Sequence, residues 1–138
     1  MTMPLLLDTC AVLWIMDDKP LRDEATKAID EATDRGGNVY VSPITGWEIG
    51  LQAARGRFRS SYSPQRWLGA LLSRPQIALA QMPPSVLLES SLLPGGLNRD
   101  PADRIIAATA REFGFTVVTR DSALLEYARQ GHLSALMC

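Results

Sequence analysis

The sequence predicts a three-layer α/β/α fold with a central, mainly parallel sheet of four or five strands. Three observations predict it. Short runs of aliphatic, β-branched and aromatic residues recur along the chain, each too brief for a helix. Longer segments with apolar residues at helical spacing lie between them. Proline, or Ser or Asp next to proline, heads several of those segments, as helix starts require. Strands alternating with helices build a parallel sheet covered on both faces, and right-handed crossovers restrict the topology further.

The first strand is read over residues 4–8, where Pro4-Leu5-Leu6-Leu7 is stopped by the carboxylate of Asp8. Residues 9–16 carry a helical pattern that closes on Asp17, Asp18, Lys19 and Pro20. Pro20 is read as the opening of a second helix over residues 21–33, with Leu21, Ala25, Ala28, Ile29 and Ala32 on one face and Gly36-Gly37 after its end. Residues 38–42 form a second strand, and Ser42-Pro43 caps a third helix reaching Arg55. Gly56 breaks it, and a polar stretch runs to Ser63. Pro64 starts a fourth helix over Trp67, Leu68, Leu71 and Leu72. Residues 76–80 are a weaker strand. Pro83-Pro84 launches a helix through Leu93, ended by Pro94-Gly95-Gly96. Asp100-Pro101 opens a helix to Phe113, residues 115–119 are the clearest strand, and Asp121 starts a last helix to Arg129. Residues 133–137 read as a closing strand. There is no internal repeat, low-complexity segment or linker, so residues 1–138 form one domain.

Composition sets bounds on function. With 46% hydrophobic and 21% charged residues the chain is an ordinary globular protein. The net charge of −1 does not advertise a nucleic-acid binder. Twelve of the fourteen basic residues are Arg, whose fork matches phosphate geometry, although a GC-rich genome explains the same bias. Cys10 and Cys138 are too few for a disulfide framework or a zinc cluster. The apolar start lacks a basic leader and a cleavage site, and no segment approaches the length of a membrane span. A cytoplasmic setting without membrane attachment is the expectation.

Four acids stand out by position. Asp8 and Asp121 follow strand ends, where the functional crevice of an open parallel sheet lies. Glu48 sits in a helix between Trp47 and Ile49, and Asp103 is in the first turn after Asp100-Pro101. Singly, each has a structural explanation. Asp8 and Asp121 serve as N-caps, Asp103 as a favourable charge at a helix start, and Glu48 as a partner for Arg55 or Arg57. Asp100, with proline behind it, is the best cap of all. Jointly they converge on one sheet edge, where clustered carboxylates must protonate or take up a cation. An all-oxygen set suits Mg²⁺, or Mn²⁺, better than Zn²⁺.

Four segments carry a family resemblance: Leu6-Leu7-Asp8-Thr9, Ser42-Pro43-Ile44-Thr45-Gly46-Trp47-Glu48-Ile49, the stretch from Arg99-Asp100-Pro101-Ala102-Asp103-Arg104 to Thr109, and Val117-Val118-Thr119-Arg120-Asp121. In order and spacing they resemble the signature segments of PIN-domain ribonucleases, and among these the VapC toxins of toxin–antitoxin pairs. The resemblance covers essentially the whole chain. It implies a PIN-like fold, a catalytic metal site of Asp8, Glu48, Asp103 and Asp121, and Mg²⁺-dependent RNA endonuclease activity that inhibits translation. It also implies a cognate VapB-like antitoxin and a homodimer. Leu97-Asn98-Arg99 departs from relatives that often carry His there.

Thr9 and Thr119 are read as supports that fix a water, a phosphate oxygen or a neighbouring acid, or simply as helix-start and strand-end hydroxyls. Asp100 supports Asp103 as its cap. Arg55, Arg57 and Arg59 form the densest basic patch, suited to guiding RNA phosphates or to complementing a helix end. Arg120 is a further RNA contact, and Arg104 is expected in an ion pair with the acids. Trp14, Trp47 and Trp67 offer base-stacking rings or core packing. His132 is assigned nothing. A haloacid-dehalogenase-like phosphatase needs Asp-x-Asp and a late lysine; here Cys10 follows Asp8-Thr9, and no lysine follows Lys27. A catalytically weak PIN-like binding module is the other alternative, opposed by the presence of all four acids.

Overall fold

Leu5, Leu6 and Leu7 are at most 1% exposed, because their strand is flanked on both sides and covered on both faces. The computed structural model describes residues 3–138; the first two residues of the domain expected over 1–138 lie outside the described residues. Five strands, β1 (Leu5–Leu7), β2 (Val39–Val41), β3 (Ile77–Leu79), β4 (Thr116–Thr119) and β5 (Ala135–Met137), run parallel in the order β3-β2-β1-β4-β5. Leu6 lies opposite Tyr40 of β2 on one side and Val117 of β4 on the other. A strand buried on both faces reads as a continuous apolar run rather than an alternating one.

The helices are α1 (Thr9–Met16), α2 (Asp23–Asp34), α3 (Ile44–Ala54), α4 (Pro64–Leu72), α5 (Pro84–Ser91), α6 (Pro101–Phe113) and α7 (Ser122–Arg129). Leu5, Leu7 and Val118 point into a core shared with Val12 of α1, Ala25 and Ala32 of α2, and Trp67 and Leu71 of α4. Leu6 and Val117 point the other way, against Ile106, Ala107 and Ala110 of α6 and Leu124 and Tyr127 of α7. These two cores are the interfaces of the expected α/β/α layers.

Two helix limits differ from expectation. α2 begins at Asp23, not beside Pro20, because tertiary bonds hold the preceding segment extended. The Trp14 indole donates to the Pro20 carbonyl at 2.8 Å, and the Arg22 amide donates to the Cys138 carbonyl at 3.2 Å. α5 ends at Ser91, short of Leu93; the Ser90 carbonyl there accepts from the Arg104 guanidinium at 2.8 Å. Gly95 is required after it, since φ is +76° and a Cβ would meet His132 Nε2 at 2.6 Å.

The chain runs outward from β1 through β2 to β3, then returns to β4 on the opposite side of β1. The gap between β1 and β4 is therefore the topological switch point, beyond whose carboxyl ends ligands bind in open α/β sheets.

Candidate active site

Asp8 is the residue after β1 and the N-cap of α1. Its backbone amide extends the ladder to the Val118 carbonyl at 3.1 Å, and one carboxylate oxygen accepts from the Ala11 amide at 2.8 Å. Its other oxygen accepts from the Thr119 hydroxyl. The same Thr119 oxygen accepts from the Asp121 amide at 2.9 Å, so one fully buried hydroxyl at the end of β4 positions both acids. Asp121 in turn caps α7 through the Ala123 amide at 3.0 Å. Serving as a cap thus does not compete with clustering: Asp8 caps α1 with one carboxylate oxygen and meets Thr119 with the other.

Asp103 lies in the first turn of α6, half-buried, with one oxygen accepting from the Asn98 side-chain amide at 3.2 Å. Asp100 caps that helix, accepting from the Ala102 and Asp103 amides at 2.9 and 3.2 Å. Glu48 projects from α3 and accepts from the Thr9 hydroxyl, which is also 3.0 Å from the Thr45 hydroxyl. Thr45 and Glu48 share a helix face at i, i+3. That spacing was the signal for Thr45, which the sequence reading missed.

The electrostatics are those of crowded like charges. Burial pushes the Asp8 carboxyl up and the Asp121 charge adds to it, against the hydrogen bonds from Thr119 and Ala11. Burial raises Glu48 as well, with Asp100 and Asp8 adding and the Thr9 bond opposing. Asp103 is pushed up to about 8, first by burial, then by its carboxyl–carboxylate hydrogen bond with Asp121 and the charges of Asp121 and Asp100. The Cys10 thiol at the rim is pushed up to about 11 by partial burial and then by Asp8, Glu48, Asp121 and Asp103 together. Hydrogen bonds tie three of the acids to this edge directly: Thr119 joins Asp8 to Asp121, and Thr9, next to Asp8, holds Glu48. Among the described residues the one ion pair joins Arg129 to Glu126, so no cation neutralises the cluster.

Arg104 does not form the expected ion pair. Its guanidinium donates to the carbonyls of Ser90, Leu97 and Asn98 at 2.8, 3.1 and 3.1 Å, clipping the α5–α6 connection in place. Arg120 rests over the Trp14 ring at 4.1 Å, with Lys19 over the same ring at 4.5 Å. Arg55 and Arg57 line a groove of about 370 Å³ that also contains Trp47, Glu48 and Asp100, while Arg59 is exposed and outside it. His132 packs on Tyr127 at 5.0 Å and lines a hollow with Thr116 and Ser134, at the start of β4 and just before β5.

The PIN domain family model matches residues 5–130. Ribonuclease VapC22 of Mycobacterium tuberculosis is 32% identical over 124 residues, covering 90% of this chain and 91% of its own. Among solved structures, VapBC2 from Rickettsia felis, bound to a DNA fragment from its promoter, superposes with a TM-score of 0.70 at 18% identity and 98% coverage of both chains. PAE2754 from Pyrobaculum aerophilum gives 0.62 at 18% identity, covering 99% of this chain and 90% of its own. At such identities the two structures speak for the fold.

Proposed function

This chain belongs to the PIN-domain family, and from that premise we propose that it is a Mg²⁺-dependent RNA endonuclease acting as the toxin of a toxin–antitoxin pair. The observation that carries the reading is the meeting of Asp8, Glu48, Asp103 and Asp121 at the β1/β4 switch point without a neutralising cation among the described residues. The 32% identity to a ribonuclease over nine-tenths of the chain supports the class of reaction. VapBC and FitAB complexes among the structural neighbours support a protein antitoxin as partner.

The donor set fits a hard divalent cation. Among the described residues, no three His, Cys, Asp or Glu side chains stand close enough together to hold a metal ion by themselves. Mg²⁺ does not need a closed cage, because it is held by one or two carboxylates together with waters and substrate phosphate oxygens. Asp8, Asp103 and Asp121 would hold it, with Glu48 facing them, and Mn²⁺ would substitute. When bound, the metal supplies Lewis-acid polarisation of the phosphodiester and a hydroxide near neutral pH. Thr119 fixes the spacing of Asp8 and Asp121; Thr9 holds Glu48, which would accept a proton from an attacking water. Asn98 and Asp100 hold Asp103 at the head of α6. A homodimer acting on RNA in the cytoplasm, with arrest of translation as its consequence, completes the reading.

The test is cleavage of bulk RNA by the purified protein, freed of any antitoxin, in Mg²⁺ and in EDTA. Cutting in Mg²⁺ that stops in EDTA is expected. Intact RNA in the presence of metal would defeat the proposal.

A further inference from the structure

We propose that the groove between α3 and the head of α6 is a nucleotide subsite, where the base of an unpaired RNA residue stacks on Trp47 and an adjoining phosphate is held by Arg55 and Arg57. The inference rests on the RNA-cleavage reading and adds to it the residues that take hold of an unpaired nucleotide. Of the three tryptophans, Trp67 is 4% exposed and meets Phe58 edge-on, and Trp14 has two cations over its ring. Trp47 is 49% exposed and lines the groove next to Glu48. Positions 47, 51 and 55 follow one face of α3 and its C-cap, so the ring and the Arg55 guanidinium are set along the same wall. Eight residues of helix span about 12 Å, a length that holds one base and a neighbouring phosphate.

The groove is polarised. Glu48 and Asp100 lie where the acids cluster, and Arg55 and Arg57 lie beyond the end of the helix with no acidic partner among the described residues. A phosphate entering it is repelled from the first end and drawn to the second. About 370 Å³ is the room of one nucleotide, not of a duplex. A paired base keeps its faces in the helical stack, so only an unpaired one can cover the indole.

The experiment is fluorescence anisotropy of a labelled single-stranded RNA of about ten nucleotides, and of the same strand in a duplex, with Ca²⁺ replacing Mg²⁺. Wild type should prefer the single strand. Trp47→Ala should weaken single-strand binding about tenfold, and Trp47→Phe should restore most of it. Arg55→Gln and Arg57→Gln should each lower the salt dependence by about 0.7 in slope. Trp47→Ala binding as tightly as wild type overturns the subsite and leaves the nuclease reading standing. A loss that accompanies a change in oligomeric mass also overturns it, by making Trp47 a subunit contact. Wild type that neither binds nor cuts any RNA overturns both.

Discussion

The two ends of the sheet are built from the same strands and behave oppositely. At the carboxyl end, β1 and β4 deliver Asp8, Thr119 and Asp121, with Asp103 and Glu48 brought alongside by α6 and α3. At the amino end lies a larger hollow of about 580 Å³, framed by Arg111, Phe115, Thr116, His132 and Ser134. Its polar groups satisfy one another: the Thr116 and Ser134 hydroxyls lie 2.9 Å apart, and Arg111 donates to the His132 carbonyl. The comparison teaches that volume does not make a site. Charge left without a partner does, because only there has the fold given up stability that a ligand can return.

The contrast is broken most sharply at Asp8. Asp8→Asn keeps an N-cap acceptor while removing a buried charge from among like charges, so Tm should hold or rise. RNA cleavage should fall by more than about a hundredfold, beyond what supporting residues around a metal usually cost. Retained cleavage would sink the role given to that residue. Thr119→Val should come next, with about a 10–100-fold loss of activity. Urea unfolding should show about 1–3 kcal/mol of destabilisation, since the buried Asp121 amide loses its acceptor. Wild-type rates in this variant would reduce Thr119 to a packing residue.

The third prediction concerns pH. Asp103 rises from 3.8 to about 8 in the folded, metal-free protein, and Asp8 and Glu48 are raised as well. Between those values the folded protein retains protons that the unfolded chain has released, so these groups make stability fall as pH rises. In EDTA, the Tm of the wild type should drop more steeply than that of Asp103→Asn from about pH 5 to about pH 8. Mg²⁺ should recover it most at the upper end. Parallel curves for the two proteins would contradict the assignment. The smallest effect belongs to the amino end, where Ser134→Ala should cost about 1 kcal/mol in urea unfolding and leave cleavage unchanged. A loss of activity there would mean that the two ends are coupled.

Much of this was legible in the sequence because the signals were local. β1 is an unbroken apolar run, β4 is β-branched at every position, and Asp100-Pro101 and Ser63-Pro64 announce their helices by capping chemistry alone. What could not be read was set by partners distant in the chain. The start of α2 depends on Trp14 and Cys138, and the end of α5 on Arg104. An arginine beside an acid suggests an ion pair, yet Arg104 donates to three loop carbonyls instead. The four acids were individually ambiguous for a related reason. Asp8 and Asp121 are caps as well as members of the cluster, and only the β1/β4 register places them together. Trp47 had the same sequence signature as Trp67, and only packing separated the exposed ring from the buried one.

The bond from Thr119 to Asp8 joins residues 111 positions apart. During synthesis, β1 leaves the ribosome early and can pair with β2 long before β4 exists. Asp121 and the hydroxyl that aligns it arrive only after well over a hundred further residues have been added. A nascent chain therefore carries Asp8 and Glu48 without the other half of their setting, and the carboxyl edge cannot close before β4 has been made. For the RNA endonuclease proposed above, that order of assembly withholds the complete site until residues 103 and 121 have both been made.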